Sequence, residues 1–356
     1  MSDKRKRLII YAVCIIIALI TISFCFIGNL FNKDIDGENN PPVLPADEPS
    51  FAVYYLDVGQ GDCIYIHFPD GKNMLIDTGE QNYTNQNYLQ DFFSQKGIKK
   101  IDYFLLTHTD FDHIGNAHYF LDNFEIGKVY LPYVNKYLIE YFPDFKDIKQ
   151  KIEEKQIESV ISDYTHSILG EEYSLAFLSP LPKDSPSGAY DDLNSTLTPS
   201  NTQINNVSPI IYLECFGARF VFTGDAQSAS ERFVIDRYKS GMYNHLHKDK
   251  VQVNLENIDY LKLGHHGSED ASCEEFLSLL QPKNLIISVG GDNYYGHPSS
   301  DVFMRLDELN LEYGLFRTDT NGTICVKYID NEFQVQVEVQ YKGLYRKVLT
   351  LIFYLR

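Results

Sequence analysis

From position 51 onward, short runs of apolar, β-branched and aromatic residues alternate with stretches whose apolar positions recur every three to four residues, and glycine, proline, asparagine and aspartate separate them. Residues 52–56, 63–67 and 74–76 read as three successive strands, the last two joined by the turn Pro69-Asp70-Gly71-Lys72. A helix fits from Tyr88 to Gly97, and Tyr103-Phe104-Leu105-Leu106 reads as a short buried strand. Further strands are predicted at 128–131, 173–178, 210–214, 219–222, 260–263 and 284–288, and helices around 228–238, 274–280 and 300–308. The Ser-, Thr-, Asn- and Pro-rich stretch 183–206 reads as a long surface loop. From Glu312 the alternation of apolar and polar residues through Asn321-Gly322 and Asn331 predicts hairpins at one sheet edge. Strands and helices mixed in this way predict an α/β (α+β) domain over 51–356, with sheets covered by helices.

The pattern before position 51 is different. Lys4-Arg5-Lys6-Arg7 precedes an uncharged, largely apolar run over 8–31, which at about 1.5 Å per residue is long enough to cross a bilayer. A cleavable signal has a shorter apolar region of roughly 7–15 residues. The bulky Phe24 before Cys25 also disfavours lipid attachment there. The expected organisation is a cytoplasmic basic tail (1–7), a transmembrane anchor (8–31), a polar, proline-rich linker (32–50) and a domain held outside the cell membrane by a single pass. No other apolar run of about 18 residues follows, so this chain by itself is not expected to form a transport channel.

Charge narrows the partners. The formal net charge is −18 and the first seven residues carry +3, leaving −21 on the remainder. Such a domain repels anionic polymers unless bound cations or a local basic patch intervene. Cys14 and Cys25 fall in the apolar run, while Cys63, Cys215, Cys273 and Cys325 show neither zinc-ribbon nor disulfide-framework spacing. Cys63 and Cys215 lie in apolar strands and read as small core residues.

The hexapeptide His108-Thr109-Asp110-Phe111-Asp112-His113 places four candidate metal ligands directly after an apolar strand. If the chain stays extended, His108, Asp110 and Asp112 project to one side, and a turn near Ile114-Gly115 brings His113 to the same point. Carboxylates that close repel one another and are costly to desolvate unless cations neutralise them. Two metal ions meet that requirement.

Other strand ends carry similar chemistry. Asp57-Val58-Gly59-Gln60-Gly61-Asp62 and Ile76-Asp77-Thr78-Gly79 each follow an apolar run with an acid and a glycine. Val221-Phe222-Thr223-Gly224-Asp225-Ala226 puts Asp225 before a helix, Gly264-His265-His266-Gly267-Ser268 follows another strand, and Gly296-His297-Pro298 a third. Singly, a turn aspartate or a helix cap explains each. In this order they resemble the metallo-β-lactamase superfamily, most closely the hydrolase domain of ComEC-like competence proteins, over residues 53–326. The resemblance implies an αββα sandwich with a dinuclear metal site along one edge of the sheets. The superfamily H-x-H-x-D-H motif falls on His108, Asp110, Asp112 and His113, with Asp110 in place of the second histidine, as in ComEC-like members. The bridging aspartate falls on Asp225 and the late histidine ligand on His265. The middle histidine is absent: Asn206-Val207-Ser208 stands in its place, and the first metal is one nitrogen ligand short.

His108, Asp110, Asp112, His113, Asp225 and His265 are thus the expected ligands of two divalent ions, manganese or zinc, with magnesium as a further candidate. Oxygen donors in place of imidazole harden the first site toward manganese or magnesium. Asp112, His113, Asp225 and His265 are expected to make the second site. Asp77, Asn206 and Ser208 are expected to orient the ligands. His266 and His297 are candidate proton donors to a leaving group, alongside the Asp112 site, and hydrogen bonding to ligands is their alternative role. The insertion 240–257, with His245 and His247, is expected beside the site, although histidines in polar loops are usually solvated. The expected function is metal-dependent hydrolysis of a phosphodiester by a metal-bound hydroxide, with nucleic acid the substrate that the resemblance implies. The acidic surface fits small or wall-associated phosphodiesters better. A β-lactam or ester hydrolase and a non-catalytic metal-binding module are the alternatives. No protein partner is legible.

Overall fold

Strands whose residues are buried on both faces require a layer on each side, and that requirement organises this chain. The computed structural model describes residues 50–246, 251–340 and 346–351. The expected basic tail, anchor, nearly all of the linker and His247 lie outside the described residues. Among the described residues no helix is long and apolar enough to cross a membrane.

The strands are β1 (Phe51–Tyr55), β2 (Ile64–His67), β3 (Asn73–Ile76), β4 (Lys100–Leu105), β5 (Glu125–Leu131), β6 (Glu158–Ile161), β7 (Ser167–Gly170), β8 (Tyr173–Phe177), β9 (Ile211–Cys215), β10 (Ala218–Phe222), β11 (Tyr260–Lys262), β12 (Asn284–Ile287), β13 (Gly314–Arg317), β14 (Ile324–Ile329), β15 (Glu332–Gln340) and β16 (Arg346–Leu351). One sheet runs β16-β15-β14-β1-β2-β3-β4-β5-β6 and the other β13-β12-β11-β10-β9-β8-β7.

The period of two along β1 decides its packing. Phe51, Val53 and Tyr55 face the second sheet and join Ile64, Ile66, Leu213, Phe220 and Phe222 in the central core. Tyr54 points the other way, against Phe92 of the helix Tyr83–Gln95. Phe93 of that helix meets Tyr65 and Phe120 in edge-to-face contacts. The outer face of the second sheet is covered by the helices Ser228–Lys239, Glu274–Leu280 and Ser300–Glu308, whose Val234, Ile235, Phe276, Leu277, Val302 and Leu306 form a second core. The result is helix, sheet, sheet, helix.

Both sheets contain parallel runs, β3-β4-β5-β6 in the first and β10-β11-β12-β13 in the second. The carboxyl ends of parallel strands are where loops gather to form sites. Asp77 follows β3, the hexapeptide follows β4, Asp225 follows β10 and the His265-His266 pair follows β11, all at such ends.

Three local expectations need correction. Between Leu131 and Tyr173 the sequence pattern predicts no element, yet a helix (Pro143–Glu154) and the strands β6 and β7 form there. The stretch 183–206 is not plain loop: it holds the short helices Ala189–Leu193 and Asn201–Asn205, the second closed by a Ser200–Gln203 capping box. The described part of 240–257 serves the outer core, not the site. Val251, Val253 and Leu255 are buried there, the Tyr243 hydroxyl donates to Leu178 O at 2.6 Å, and His245 is exposed.

Candidate metal centre

The hexapeptide does not remain extended. His108 leaves β4, Asp110 takes extended backbone as an N-cap residue, and Phe111–Ile114 forms one helical turn. That turn, not alternation, carries Asp112 and His113 inward. It is held from outside: Thr78 N and Oγ1 both donate to His113 O, at 2.7 and 3.0 Å, and the Asn116 side-chain amide donates to the carbonyls of Thr78 and Glu80, both at 2.9 Å.

Each imidazole is fixed through Nδ1. His113 Nδ1 donates to Asp77 Oδ2 at 2.8 Å and His266 Nδ1 donates to Ser288 O at 2.8 Å. The Thr107 hydroxyl is committed as donor to Asp77 Oδ2 at 2.6 Å, so its oxygen accepts from His108 Nδ1 at 3.1 Å, where Ser208 Oγ also lies at 3.2 Å. In the neutral form of each of the three rings Nε2 is therefore the lone-pair nitrogen, and it faces inward. His108 Nε2 is buried without a hydrogen-bond partner, as is Asp225 Oδ1.

The inward atoms converge. Asp225 Oδ2 lies 3.3 Å from His113 Nε2 and 3.4 Å from His266 Nε2. His266 Nε2 lies 3.4 Å from Asp112 Oδ2 and 3.3 Å from His113 Nε2. Two donors about 2.1 Å from one ion at tetrahedral or octahedral angles stand roughly 3–3.5 Å apart, so these four spacings fit a divalent cation. A wider set lies beside it: His108 Nε2 is 3.7 Å from Asp110 Oδ2 and 3.9 Å from Asp225 Oδ2, and His265 Nε2 is 3.8 Å from Asp225 Oδ2. Asp225 is common to both sets.

The electrostatics demand positive charge. Burial opposes a charged imidazole, yet the Asp225, Asp77 and Asp112 carboxylates raise His113 well above its ordinary value. The same contest, with Asp225 the main carboxylate, pushes His266 up to about 10. Burial favours a neutral carboxyl at Asp112 and Asp225, but His113 and His266 hold both well below the usual range. The carboxylates thus favour positive charge at this point, which a bound cation supplies.

Three expected roles change. His266, expected as a proton donor, has Nδ1–H engaged by Ser288 O and Nε2 inside the tighter donor set, so it stands where His265 was expected. His265 moves to the wider set. Both adopt left-handed backbone, φ 45° and 53°, and this turn sends adjacent rings to different donor sets. His297, the other candidate proton donor, donates Nδ1–H to His265 O at 3.2 Å, and burial together with His266 and His265 lowers its pKa to about 4. At neutral pH it has no proton to spare.

Ser208 and Asp77 are placed to orient His108 and His113. Asn206 makes no hydrogen bond to a candidate ligand; its Oδ1 accepts from Gln227 N and Ser230 Oγ, each at 3.1 Å. The sequence pattern did not reveal Lys262, fully buried, with Nζ 2.5 Å from Asp62 Oδ2, donating to Gly224 O at 2.9 Å and 4.0 Å from Asp225 Oδ1. A lysine inside the apolar strand β11 was the available signal. This ammonium, paired with Asp62, balances charge on the inner side of the cluster.

Residues 56–291 match the metallo-beta-lactamase superfamily. The chain belongs to that superfamily. This metallo-β-lactamase domain is 30% identical over 302 residues to ComE operon protein 3 of Bacillus subtilis, covering 80% of this chain and 34% of that one. It is 23% identical over 284 residues to competence protein ComA of Neisseria gonorrhoeae, covering 80% and 33%. The chain thus spans about a third of the length of these curated relatives. Among solved structures it is similar to CmlA, a diiron β-hydroxylase from Streptomyces venezuelae, at 13% identity and a TM-score of 0.48, covering 79% of this chain and 55% of that one. It is a metallo-hydrolase superfamily member of the ComEC-like kind.

Proposed function

We propose that the protein hydrolyses phosphodiesters, with a nucleic acid as the substrate class that its competence relatives favour, and that it acts outside the membrane. The observation that carries this reading is the pair of adjacent donor sets sharing Asp225, in which carboxylates supply an unusual share of the donors. Asp112, His113, His266 and Asp225 hold one divalent ion in this proposal, and His108, Asp110, His265 and Asp225 the other. When bound, such ions supply Lewis acidity and lower the proton affinity of water.

The remaining work falls to the chain's own groups. Asp77, Ser288 O and Thr107 fix the tautomers of His113, His266 and His108. Lys262 and Asp62 hold the inner side of the cluster neutral, so that charge developing on a substrate phosphate would meet the positive charge left on the two ions beyond that of Asp110, Asp112 and Asp225. His297, neutral and partly exposed, offers its Nε2 as an acceptor at the mouth. The manganese or magnesium preference, the outside location and the anchor over 8–31 remain part of the proposal.

The test is cleavage of bis-p-nitrophenyl phosphate and of single-stranded DNA by the purified protein with manganese, magnesium or zinc, and hydrolysis of a chromogenic cephalosporin beside them. Asp112→Asn is expected to lower phosphodiester cleavage at least about 100-fold. Cleavage that survives both chelation and Asp112→Asn, or activity confined to the cephalosporin, rejects the reading.

A further inference from the structure

The wider donor set is one nitrogen short, and the helix Asn201–Asn205 ends beside it. Asn205 is 1% exposed, its Oδ1 is buried with no hydrogen-bond partner, and its Nδ2 lies 3.3 Å from His265 Nε2. The other ring nitrogen of His265, Nδ1, lies 3.4 Å from Gln227 Nε2. Two amide NH2 groups thus face the two nitrogens of one imidazole. At least one of those nitrogens carries hydrogen, so both amides cannot donate to the ring. Turning over Gln227 alone resolves that conflict, so what singles out Asn205 is its buried carboxamide beside His265, whose oxygen has no hydrogen-bond partner.

We propose that the Asn205 carboxamide oxygen is a ligand of the first cation, completing with His265 Nε2 the set begun by His108, Asp110 and Asp225 and selecting a hard divalent ion there. The inference rests on the metal-centre reading above and extends it to a residue outside the motifs. Gln227 Oε1 accepts Nδ1–H of His265, which leaves Nε2 a lone pair, the arrangement the other three rings obtain from Asp77, Ser288 and Thr107. Turning the Asn205 amide over exchanges oxygen and nitrogen with little change of shape. Its oxygen then stands 3.3 Å from His265 Nε2, the spacing already seen among Asp112, His113, His266 and Asp225. Neighbouring Asn206 is unavailable for this role, because its Oδ1 is taken by Gln227 N and Ser230 Oγ. With Asn205 the first ion meets two nitrogens and three oxygens, a mixture that suits manganese better than a three-imidazole pocket does.

The experiment is titration of the metal-free protein with manganese alone, free Mn2+ being followed by its paramagnetic resonance, for wild type, the isosteric Asn205→Leu and the oxygen-keeping Asn205→Asp. Wild type is expected to take up two ions. Asn205→Leu should keep one at unchanged affinity and weaken the other at least about tenfold, whereas Asn205→Asp should keep both. Two ions at wild-type affinity in folded Asn205→Leu overturns the proposal, and so does loss of the weaker ion in Asn205→Asp, which remains decisive if the leucine variant does not fold. The readout uses no substrate. A protein that binds two ions through Asn205 but cleaves no phosphodiester leaves this inference standing while the functional reading fails, and the converse separates them equally.

Discussion

Asp77 shows how much one residue beyond the ligands can control. Its backbone sits at φ 56°, where asparagine and aspartate are tolerated best after glycine, and its carboxylate accepts from Thr107 N, Thr107 Oγ1 and His113 Nδ1. Asn at this position keeps the backbone but turns one acceptor into a donor facing donors. Asp77→Asn is expected to cost about 1–3 kcal/mol of stability in denaturant titration and about 10–100-fold in metal affinity. Glu231 is a different kind of group: fully buried, accepting from Ser272 N at 2.6 Å and Cys273 N at 2.7 Å, it has its pKa pushed by burial up to about 7. The folded state therefore holds this proton more tightly than the unfolded chain. Its contribution to stability is greatest below the ordinary glutamate value and is given up as pH rises toward about 7, at no more than about 1.4 kcal/mol per pH unit. Denaturation midpoints between pH 5 and 7 should fall less steeply in Glu231→Gln than in wild type. At this scale the sequence was readable where chemistry is dense. The hexapeptide stands out because packing does not explain it, and Asp225 and the His265-His266 pair stand out through their order along the chain with it. Asn205 and Gln227 did not stand out, since a lone amide in a polar stretch has no periodic or compositional signature, and His265 exchanged places with His266 because spacing does not reveal a left-handed turn.

The elements most legible in the sequence were those with one strong period. The helices Glu274–Leu280 and Ser300–Glu308 have the predicted limits and β14 and β15 form the hairpin expected at Asn331, but Asn321-Gly322 ends a helical turn instead of joining a hairpin, and β13 before it pairs parallel with β12 in the other sheet. The helix Pro143–Glu154 escaped because only Phe145, Ile148 and Ile152 are apolar inward positions among many charges, and β6 escaped because an edge strand with two exposed residues shows no alternation. What joins elements at the site is close backbone approach. Gly61, at φ 123°, leaves room for the first helical turn after His108; a Cβ there would lie 2.1 Å from Asp112 O. No flexible side chain can yield in that contact. Gly61→Ala is expected to lose at least about 2 kcal/mol and to displace Asp112, with activity falling in parallel. Gly97→Ala, at φ 64° with open space around its Cβ, should cost only about 1–2 kcal/mol and leave activity intact. Equal losses in urea titrations of the two would count against the contact.

Across the whole molecule, charge opposes the proposed polymer substrate. A net charge of −18 repels a polyanion until bound cations and dissolved salt screen it. Between about 20 and 150 mM monovalent salt, over which the Debye length shrinks from roughly 20 to 8 Å, cleavage of single-stranded DNA is expected to rise severalfold while cleavage of bis-p-nitrophenyl phosphate stays level. A fall with salt would instead indicate a basic contact surface for DNA.

Sheet closure has a consequence for synthesis. β1 is clasped between β2 and β14, with Phe51 opposite Tyr328 and Tyr55 opposite Ile324. A ribosome adding roughly 5–20 residues per second finishes β14 on the order of tens of seconds after β1. Throughout that interval the nascent chain carries an apolar strand with one edge unmatched, so holding factors have a long opportunity to engage it before the hydrolase domain can close. Interrupted translation products that stop short of Ile324 cannot close this sheet, and their open β1 edge marks them for aggregation or proteolysis.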